Sequence, residues 1–293
     1  MPESFYIETF GCQMNKADSE LMALSLIKNG FVKAPSGAEA DILLFNTCSV
    51  RLHAENRALA RLRAARSAGR GGKPTLLVAA GCMAQRMGEN LIEEDLADLA
   101  VGPYQSPSIG DIIQSYRSGL TGRIHLSQQR ADFHTRIDPA GASPLEASPW
   151  HRWVTITHGC ENFCSYCIVP RVRGPLISFK SADILAYIRR CADNGAREIT
   201  LLGQNVNQYG QDNGDIPFHR LLEKAAAVPG LVRIGFLTSH PMDFTNDIVD
   251  VIADHENISR SIHLPLQSGS DEILMKMNRR YTMAEYMKKA GYI

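Results

Sequence analysis

Strand-like and helix-like segments alternate along this chain, and this alternation restricts the possible folds more than any other feature of the sequence. Three strand patterns are separated by two helical patterns in the first part, and four strand patterns are each followed by a helical pattern in the second. Repeated units of this kind predict parallel sheets with functional residues at the carboxyl ends of the strands. The predicted strands are Phe5–Thr9, Asp41–Phe45, Thr75–Ala80, Trp153–Thr157, Arg197–Leu202, Leu231–Leu237 and Arg260–Leu266.

The helical patterns complete an α/β fold. We expect an amino-terminal parallel-sheet domain over residues 1–120, a linker over 121–149 and a second domain of βα units over 150–293. The predicted helices are Lys16–Lys28, Val50–Ser67, Ser181–Asn194, Phe218–Val228, Asn246–Asp254 and Asp271–Met277.

A cysteine triplet follows the first strand of the second part. Cys160, Cys164 and Cys167 have the spacing C-x3-C-x2-C, and no fourth cysteine lies close to them in the sequence. Three thiolates at this spacing can hold three irons of a [4Fe-4S] cluster and leave the fourth iron open to a small molecule. The alternative is a structural zinc site in which His158 is the fourth ligand.

A second cysteine pattern lies in the first part of the chain. Cys12, Cys48 and Cys82 each follow a predicted strand by a few residues. Because the carboxyl ends of parallel strands share one edge of a sheet, we expect the three thiols to converge. The alternative is that each is a small buried residue, as free cysteines often are. Cys191, at helical spacing within Ser181–Asn194, is interpreted in that second way.

The triplet resembles the cluster loop of the radical S-adenosylmethionine superfamily, because Tyr166 precedes its last cysteine and the loop follows the first strand of a βα series. The resemblance implies a (βα) barrel, here partial, in which the cofactor's methionine part chelates the open iron. An electron from the reduced cluster then cleaves the cofactor to methionine and a 5′-deoxyadenosyl radical.

Three strings around the other cysteines resemble the amino-terminal domain of the methylthiotransferase family of radical enzymes. They are Thr9–Asn15, Asn46–Arg51 and Ala80–Ala84. The resemblance implies that the three cysteines of the first part bind an auxiliary [4Fe-4S] cluster that helps to deliver a methylthio group. Two [4Fe-4S] clusters and S-adenosylmethionine are therefore the expected cofactors, and the six cysteines are the expected metal ligands.

Further strings resemble the branch of the family that acts on tRNA. The resemblance implies transfer of a methylthio group to C2 of N6-isopentenyladenosine next to the anticodon. Methylthiotransferases that act on threonylcarbamoyl-adenosine or on a ribosomal-protein aspartate are alternatives, as is a non-catalytic iron–sulfur electron carrier or binding module. The strings are Leu201–Gly210, Leu237–Pro241, His263–Ser270 and Met277–Thr282.

Polar residues at the ends of the predicted barrel strands are the candidates for binding the cofactor. No catalytic residue is expected beyond the cluster ligands, because we find no hydrolytic triad and no carboxylate pair. The same polar residues could instead cap the helices that follow. The candidates are Gly203, Gln204, Asn205, Ser239 and Gln267, with His240 and Ser268 beside them.

The net charge of the chain is zero, but its basic residues are unevenly distributed. A first set could follow a phosphate backbone or could form an ordinary solvated face. A second set, near the barrel strand ends, is the better candidate for contact with the anticodon stem-loop of tRNA. The first set is Arg51, Arg57, Arg61, Arg63, Arg66, Arg70 and Lys73 with the glycines Gly69, Gly71 and Gly72; the second is Arg171, Arg173, Lys180, Arg279 and Arg280.

Composition predicts an enzyme of the cytoplasm without membrane spans. Seven cysteines with no signal-peptide pattern favour metal or redox chemistry over disulfides. The resemblance also implies an electron donor such as flavodoxin or ferredoxin. Family members continue through further strands into a small RNA-binding barrel, which this sequence lacks. We therefore expect a fragment that binds clusters but modifies tRNA weakly or not at all.

Overall fold

The computed structural model describes residues 2–68, 75–126 and 150–293. The chain forms two compact units. The first contains the described residues up to 126 together with Arg171–Arg173, and the second contains residues 150–170 and 174–293.

The first unit is built on a parallel sheet of six strands. These are β1 (Ser4–Thr9), β2 (Val32–Lys33), β3 (Ile42–Thr47), β4 (Leu76–Gly81), β5 (Leu99–Val101) and β6 (Ile124–His125). Their order in the sheet is β2-β1-β3-β4-β5-β6, and all neighbouring strands are parallel. Strands β3 and β4 are buried along their whole length, as expected for parallel strands that are covered on both faces.

Four helices cover this sheet. They are α1 (Gln13–Lys28), α2 (Leu52–Ser67), α3 (Cys82–Glu93) and α4 (Ile109–Arg117), with a 3-10 turn at Pro103–Ser108 before α4. Leu62 of α2 and Met83 and Leu91 of α3 belong to the same buried cluster as Phe45 of β3. Full burial of side chains of this size contributes about 1.5–3 kcal/mol each, so this cluster holds the two helices against the sheet.

The register of the three central strands determines where their loops lie. Thr9 at the end of β1 is paired with Asn46, and Thr47 at the end of β3 is paired with Gly81 at the end of β4. The residues that follow the three strands therefore begin at one level of the same sheet edge.

The second unit contains a three-stranded parallel sheet and a two-stranded antiparallel pair. The strands are β7 (His151–Thr155), β8 (Thr157–His158), β9 (Ile177–Ser178), β10 (Glu198–Leu202) and β11 (Arg233–Phe236). The parallel sheet has the order β11-β10-β7, and β8 pairs with β9.

The structure confirms the four helices predicted in this part and adds two that were not predicted, one after the cysteine loop and one at Met283–Tyr292. They are α5 (Val169–Val172), α6 (Ser181–Asp193), α7 (Phe218–Ala226), α8 (Asn246–Asp254), α9 (Asp271–Lys276) and α10 (Met283–Tyr292), with a 3-10 turn at Val206–Gln208. The α/β class is confirmed, with a parallel-sheet unit followed by a partial series of βα units. Cys191 is buried within α6, as predicted.

The fourth predicted barrel strand, Arg260–Leu266, is wrong. This segment forms no strand, and only an isolated bridge joins Ile258 to Ile234 of β11. In the bridge, the Ile234 N–H donates to the Asn257 carbonyl at 2.8 Å and the Ser259 N–H donates to the Ile234 carbonyl at 2.7 Å.

Side chains take up the backbone carbonyls that a strand would have paired. The Tyr286 hydroxyl donates to the carbonyl of Leu264 at 2.9 Å, and the Tyr281 hydroxyl donates to that of Leu266 at 2.6 Å. Pro265 between them has no N–H to give to a neighbouring strand. The segment is therefore extended without belonging to the sheet.

The predicted linker, 121–149, begins within the first sheet. Strand β6 lies inside that range and pairs with β5. Residues 127–149 lie outside the described residues, as do Gly69, Arg70, Gly71, Gly72 and Lys73 of the first basic set. The domain boundaries stay predictions.

Gly81, between β4 and α3, has a backbone conformation that only glycine adopts readily, with φ 86° and ψ −155°. A Cβ there would lie 2.5 Å from Asn46 Oδ1 and 2.6 Å from the Thr47 carbonyl oxygen. Gly30 has a similar φ of +84°, but no described atom lies within 4 Å of a Cβ built on it.

We expect Gly81→Ala to lower the free energy of unfolding by about 2 kcal/mol or more beyond the effect of Gly30→Ala, because both carry backbone strain but only Gly81→Ala adds a clash with backbone. Urea unfolding of the metal-free variants, followed by circular dichroism, measures the difference. Equal losses for the two variants would contradict the steric account.

Candidate metal centres

The three cysteines of the first unit lie at the edge where β1, β3 and β4 end. Cys12 is the N-cap of α1, Cys48 follows β3 directly, and Cys82 is the first residue of α3. All three are free thiols. Cys12 and Cys82 therefore lie at helix amino termini, where the helix dipole favours negative charge.

The structure brings these thiols together, as the topology predicts. A hydrogen bond between Cys48 and Cys12 lowers the pKa of Cys12 and raises that of Cys48, and the charge of Cys82 adds to the rise at Cys48. Gly11 has φ +99°, and a Cβ on it would collide with the side chain of Cys48. A glycine is thus required for Cys12 and Cys48 to approach each other. The role of the three as cluster ligands stays a prediction.

Two buried asparagines hold the loops that carry these cysteines. Asn15 Nδ2 donates to the carbonyls of Phe10 at 2.8 Å and Thr47 at 2.9 Å. Asn46 Nδ2 donates to the Asn15 carbonyl at 2.7 Å. These bonds join the loop after β1 to the end of β3 and fix the backbone on both sides of Cys12.

The three thiols have different acidities. The hydrogen bond from Cys48 lowers the pKa of Cys12 to about 6, and the charge of Arg173 acts in the same direction. The same bond raises the pKa of Cys48. Burial raises the pKa of Cys82, although the charge of Arg173 opposes that rise. In the metal-free protein Cys12 is the thiol that is ionised at neutral pH.

Arg173 was predicted to contact tRNA, and the structure contradicts this. Its side chain is buried, and Nη2 forms an ion pair with Asp18 Oδ2 at 2.6 Å. Its Nε donates to Cys82 Sγ at 3.2 Å. Burial would lower the pKa of Arg173, but the charges of Asp18 and Cys82 outweigh it and raise that pKa. Arg173 therefore belongs to the first cysteine set.

In the metal-free protein, iodoacetamide should modify Cys12 faster than Cys48 or Cys82, because the thiolate is the nucleophile. The rate at Cys12 should rise as the pH increases through about 6, where this thiol loses its proton. Mass spectrometry of peptides after timed alkylation gives the three rates. In Cys48→Ala the hydrogen bond is lost, so the midpoint should move to higher pH; an unchanged midpoint would contradict the assignment.

The second unit holds the Cys160–Cys167 loop just after β8. The Cys160 N–H donates to the Gly174 carbonyl at 3.2 Å, and the Cys167 N–H donates to the Cys164 carbonyl at 2.9 Å. Gly159 has φ +75°, and a Cβ on it would collide with backbone of Gly174 and Pro175. A glycine before the first cysteine is therefore required for this close approach.

Burial controls the chemistry of this second cysteine set. Cys160 and Cys164 are buried and Cys167 is half-buried. Burial raises the pKa of Cys160 to about 11 and also raises that of Cys167, and the neighbouring cysteines add to both effects. Thiolates at these positions need a positive charge beside them, which bound iron would provide.

Two nitrogen donors point at Cys164. Arg279 Nη1 donates to its sulfur at 3.3 Å, and His240 Nε2 lies 3.9 Å from the same sulfur. His240 Nδ1 accepts the N–H of Met242 at 3.2 Å. Burial, together with the charge of Arg279, lowers the pKa of His240 to about 3, so the ring is neutral and we assign its proton to Nε2. The sulfur of Cys164 is thus contacted by one side chain that follows β11 and by one that follows α9.

Arg279 was also predicted to contact tRNA, and the structure contradicts this too. It is buried beside Cys164, and its guanidinium carbon lies 5.4 Å from the ring centre of Tyr281. Its Nη1 also donates to the Tyr166 hydroxyl at 3.3 Å. Arg171, Lys180 and Arg280 are exposed.

A buried polar network lies beside this cysteine loop. Asp243 Oδ2 accepts from Asn205 Nδ2 at 2.6 Å and from Asn162 Nδ2 at 3.2 Å. Gln208 Nε2 in turn donates to Asn162 Oδ1 at 2.9 Å. Neither Asn162 nor Asp243 was predicted from the sequence. Only the position of Asn162 inside the cysteine loop gave a signal for either residue.

Several polar atoms near the ends of β10 and β11 are buried without a hydrogen-bond partner among the described residues. Buried polar groups are normally paired, so such a group of unpaired atoms indicates a place for a polar ligand. The oxygens fit the amino group of an amino-acid cofactor, and the Asn207 amide and Ser239 hydroxyl fit its carboxylate. The atoms are Gln204 Oε1, Asn205 Oδ1, Asn207 Nδ2, Gln208 Oε1 and Ser239 Oγ.

Three of the five cofactor candidates have unpaired buried polar atoms, and the other two, Gly203 and Gln267, do not. Gln204, Asn205 and Ser239 lie in this polar region, and neither Asn205 nor Ser239 makes a side-chain cap hydrogen bond among the described residues. Gly203 packs so closely on Thr157 that a Cβ would collide with the Thr157 hydroxyl, and this packing already explains the glycine. Gln267 is exposed and has a left-handed backbone with φ +73°. Cofactor contact by these residues stays a prediction.

Backbone strain occurs near the same loops. Thr238, which precedes Ser239, has φ +71°, a rare conformation for a β-branched residue. Phe163 and Asn278 are also left-handed, and Asn278 Nδ2 donates to the Phe163 carbonyl at 2.9 Å. Residues held in this way cluster at functional sites. Sequence patterns gave no sign of this strain.

The zinc alternative finds no support in the described part of the chain. There, no group of three or more His, Cys, Asp or Glu side chains is placed to hold a metal ion. A Cys3His zinc site that includes His158 requires such a group. A [4Fe-4S] cluster differs because each thiolate binds a different iron, so its ligands do not have to converge on one atom.

Two arginines of the first basic set are engaged within the first unit. Arg61 donates through Nε and Nη2 to both carboxylate oxygens of Glu8, at 3.0 to 3.1 Å. Arg66 forms an ion pair with Asp98 at 2.9 Å. These contacts favour the interpretation of this set as an ordinary solvated face. None of the described helices is long and apolar enough to cross a membrane.

Two family descriptions match the chain. Residues 4–102 match an uncharacterised protein family, UPF0004, and residues 154–293 match the radical SAM superfamily. The first match contains Cys12, Cys48 and Cys82, and the second contains the cysteine triplet.

Curated relatives match nearly the whole chain. A tRNA-2-methylthio-N(6)-dimethylallyladenosine synthase from Syntrophotalea carbinolica is 39% identical over 288 residues, which are 97% of this chain and 65% of the relative. One of the same name from Thermotoga petrophila is 42% identical over 285 residues, 97% of this chain and 62% of the relative. The chain thus spans somewhat less than two thirds of these relatives.

Solved structures share the fold. A radical S-adenosylmethionine methyltransferase, TsrM, from Kitasatospora setae, solved with cobalamin and a [4Fe-4S] cluster bound, has a TM-score of 0.67 and 12% identity; the match covers 100% of this chain and 67% of that one. The cobalamin-dependent radical enzyme OxsB has a TM-score of 0.63 and 9% identity, covering 98% of this chain and 47% of its own. At such identities the likeness concerns the fold.

Proposed function

Because this chain belongs to the radical SAM methylthiotransferase family, we propose that it is part of a tRNA methylthiotransferase that adds a methylthio group to C2 of N6-isopentenyladenosine next to the anticodon. The observation that carries the proposal is that the chain has two separate sets of three free thiols, one where the parallel strands β1, β3 and β4 end and one in the loop after β8. In each set a buried arginine donates to one sulfur. An electron carrier needs no unpaired buried polar atoms near its cluster, whereas this chain has such atoms near the ends of β10 and β11.

In the proposal, Cys160, Cys164 and Cys167 hold a [4Fe-4S] cluster, and Cys12, Cys48 and Cys82 hold a second one. When bound, the clusters and S-adenosylmethionine supply the electron and the 5′-deoxyadenosyl radical that removes hydrogen from carbon, and the sulfur that is transferred.

The protein's own residues orient the cofactor and control its surroundings. Asn205 and Ser239 offer unpaired polar atoms to the amino and carboxylate groups of the cofactor, and Gln204 adds a further acceptor. Asp243 fixes Asn205 through the 2.6 Å hydrogen bond, so the Asn205 oxygen has a defined direction. Gln267 and the backbone of Gly203 complete the proposed cofactor contacts.

The substrate assignment rests on the curated relatives and on the strings that resemble the tRNA branch. Strings Leu201–Gly210 and Leu237–Pro241 contain all five unpaired polar atoms near the ends of β10 and β11, so the branch-specific residues coincide with the proposed cofactor site. We propose the anticodon stem-loop of tRNA as partner, with Lys180 and Arg280 of the second unit as exposed basic residues that contact it. Arg171 is also exposed, but it belongs to the first unit. We further propose a flavodoxin or ferredoxin as electron donor and the cytoplasm as the compartment, because exposed clusters need reducing conditions.

Anaerobic reconstitution should give about eight irons per chain, and Cys164→Ala and Cys48→Ala should each lose about four, because each removes a ligand from a different cluster. Cys191→Ala is the matched control, since Cys191 is a buried thiol in α6 and should keep all the iron. Iron and sulfide analyses give the numbers. A single cysteine substitution that empties both sites would argue against two separate clusters.

Reduced, reconstituted protein should cleave S-adenosylmethionine to methionine and 5′-deoxyadenosine, and Cys164→Ala should not. With tRNA that carries isopentenyladenosine, mass spectrometry should detect the 2-methylthio product, and Cys48→Ala should form none. The same tRNA with unmodified adenosine is the substrate control. Equal product from unmodified or threonylcarbamoylated adenosine would refute the substrate, and absence of 5′-deoxyadenosine would refute the chemistry.

A further inference from the structure

We infer that Arg173 is a positioning residue of the first cysteine set: Asp18 fixes its guanidinium, which donates to the Cys82 sulfur and thereby sets the reduction potential of the cluster bound there. The inference rests on the proposed function, which places a cluster on Cys12, Cys48 and Cys82.

The guanidinium of Arg173 uses separate nitrogens for separate partners. Its Nε donates to Cys82 Sγ at 3.2 Å, and its Nη2 donates to Asp18 Oδ2 at 2.6 Å and to Asn15 Oδ1 at 3.2 Å. Because the guanidinium is a rigid plane, fixing Nη2 also fixes the direction of Nε. The Tyr104 hydroxyl holds the backbone carbonyl of Arg173 at 2.9 Å, so the main chain is anchored as well.

The partners of Arg173 lie on the elements that carry two of the cysteines. Asn15 and Asp18 belong to α1, whose N-cap is Cys12, and Cys82 begins α3. Arg173 therefore connects the amino termini of these two helices. The spacing between Cys12 and Cys82 depends in part on this single side chain.

Burial makes the charge of Arg173 effective at the sulfur. The side chains of Arg173 and Asp18 are 3% and 2% exposed, so solvent screens their interactions little. A buried ion pair adds little net stability compared with well-packed apolar side chains, so stability alone gives a weak reason for it. A fixed positive donor beside a ligand sulfur has another effect: it stabilises the more negative, reduced cluster and raises its potential.

Arg61 is the matched control because it is also an arginine of the first unit paired with a carboxylate, Glu8, but the pair is exposed and Arg61 makes no contact with a cysteine among the described residues. A general effect of removing an arginine charge from this unit would appear in Arg61→Met. An effect of the contact with Cys82 would appear only at Arg173.

The experiment uses the whole chain with Cys160, Cys164 and Cys167 replaced by alanine, so that only the first set can bind a cluster. After anaerobic reconstitution, the midpoint potential is measured by a redox titration followed by electron paramagnetic resonance. This triple-alanine protein is called the background protein. Arg173→Met, introduced into the background protein, should shift the potential to more negative values. Arg173→Lys keeps the charge but loses the rigid fork, so its midpoint potential should lie between those of the background protein and Arg173→Met. Arg61→Met should leave the potential unchanged.

The possible outcomes separate the inference from the proposed function. A loaded cluster with the same potential in the background, Arg173→Met and Arg173→Lys would overturn the inference alone. If Arg173→Met binds no iron or does not fold by circular dichroism, the potential of Arg173→Lys decides, and a value equal to the background overturns the inference. A background protein that binds no iron at all would contradict the proposed function and, with it, this inference.

Discussion

The structure depends on the register of parallel strands. β1, β3 and β4 end at the same level of one sheet. Pairing of these strands therefore brings Cys12, Cys48 and Cys82 to a common edge, although the three are distant in sequence. The same rule acts in the second unit, where β7, β10 and β11 are parallel and polar residues collect at their ends. In both units, strand pairing thus decides where the cysteines and polar residues lie, and side-chain contacts then fix their orientation.

Each cysteine set combines two buried thiols with one inward arginine, while its third thiol is exposed (Cys12) or half-buried (Cys167). Burial alone would keep most of these thiols protonated, as the raised pKa values of Cys82 and Cys160 indicate. The charge of Arg173 opposes that rise at Cys82, and the charge of Arg279 opposes the rise at Cys167. Each arginine also directs an N–H donor at one sulfur of its set. The two sites reach this arrangement differently, because Arg173 is paired with a buried carboxylate whereas Arg279 lies against the ring of Tyr281.

The sequence was sufficient to predict the α/β class, most strands and helices, and the meeting of Cys12, Cys48 and Cys82, because these follow from hydrophobic periodicity and from the topology of parallel sheets. It misled us about Arg173 and Arg279. Arginines are mostly exposed, so a basic residue near a strand end was taken as a surface contact. Their true partners, Asp18 and Cys164, lie far away in the sequence, and no local pattern identifies them. The predicted strand Arg260–Leu266 failed for a related reason, since distant tyrosines bind its carbonyls.

The isolated bridge beside β11 affects whether a second copy of the chain can add a strand to this sheet. An open strand edge presents amide and carbonyl groups that a second chain can extend by strand addition. Here both backbone groups of Ile234, in the middle of the short strand β11, are already bonded to the 257–259 segment. An incoming strand would have to displace that segment before it could pair along the edge. The 257–259 segment therefore hinders strand addition at this edge, although it is not itself a strand of the sheet.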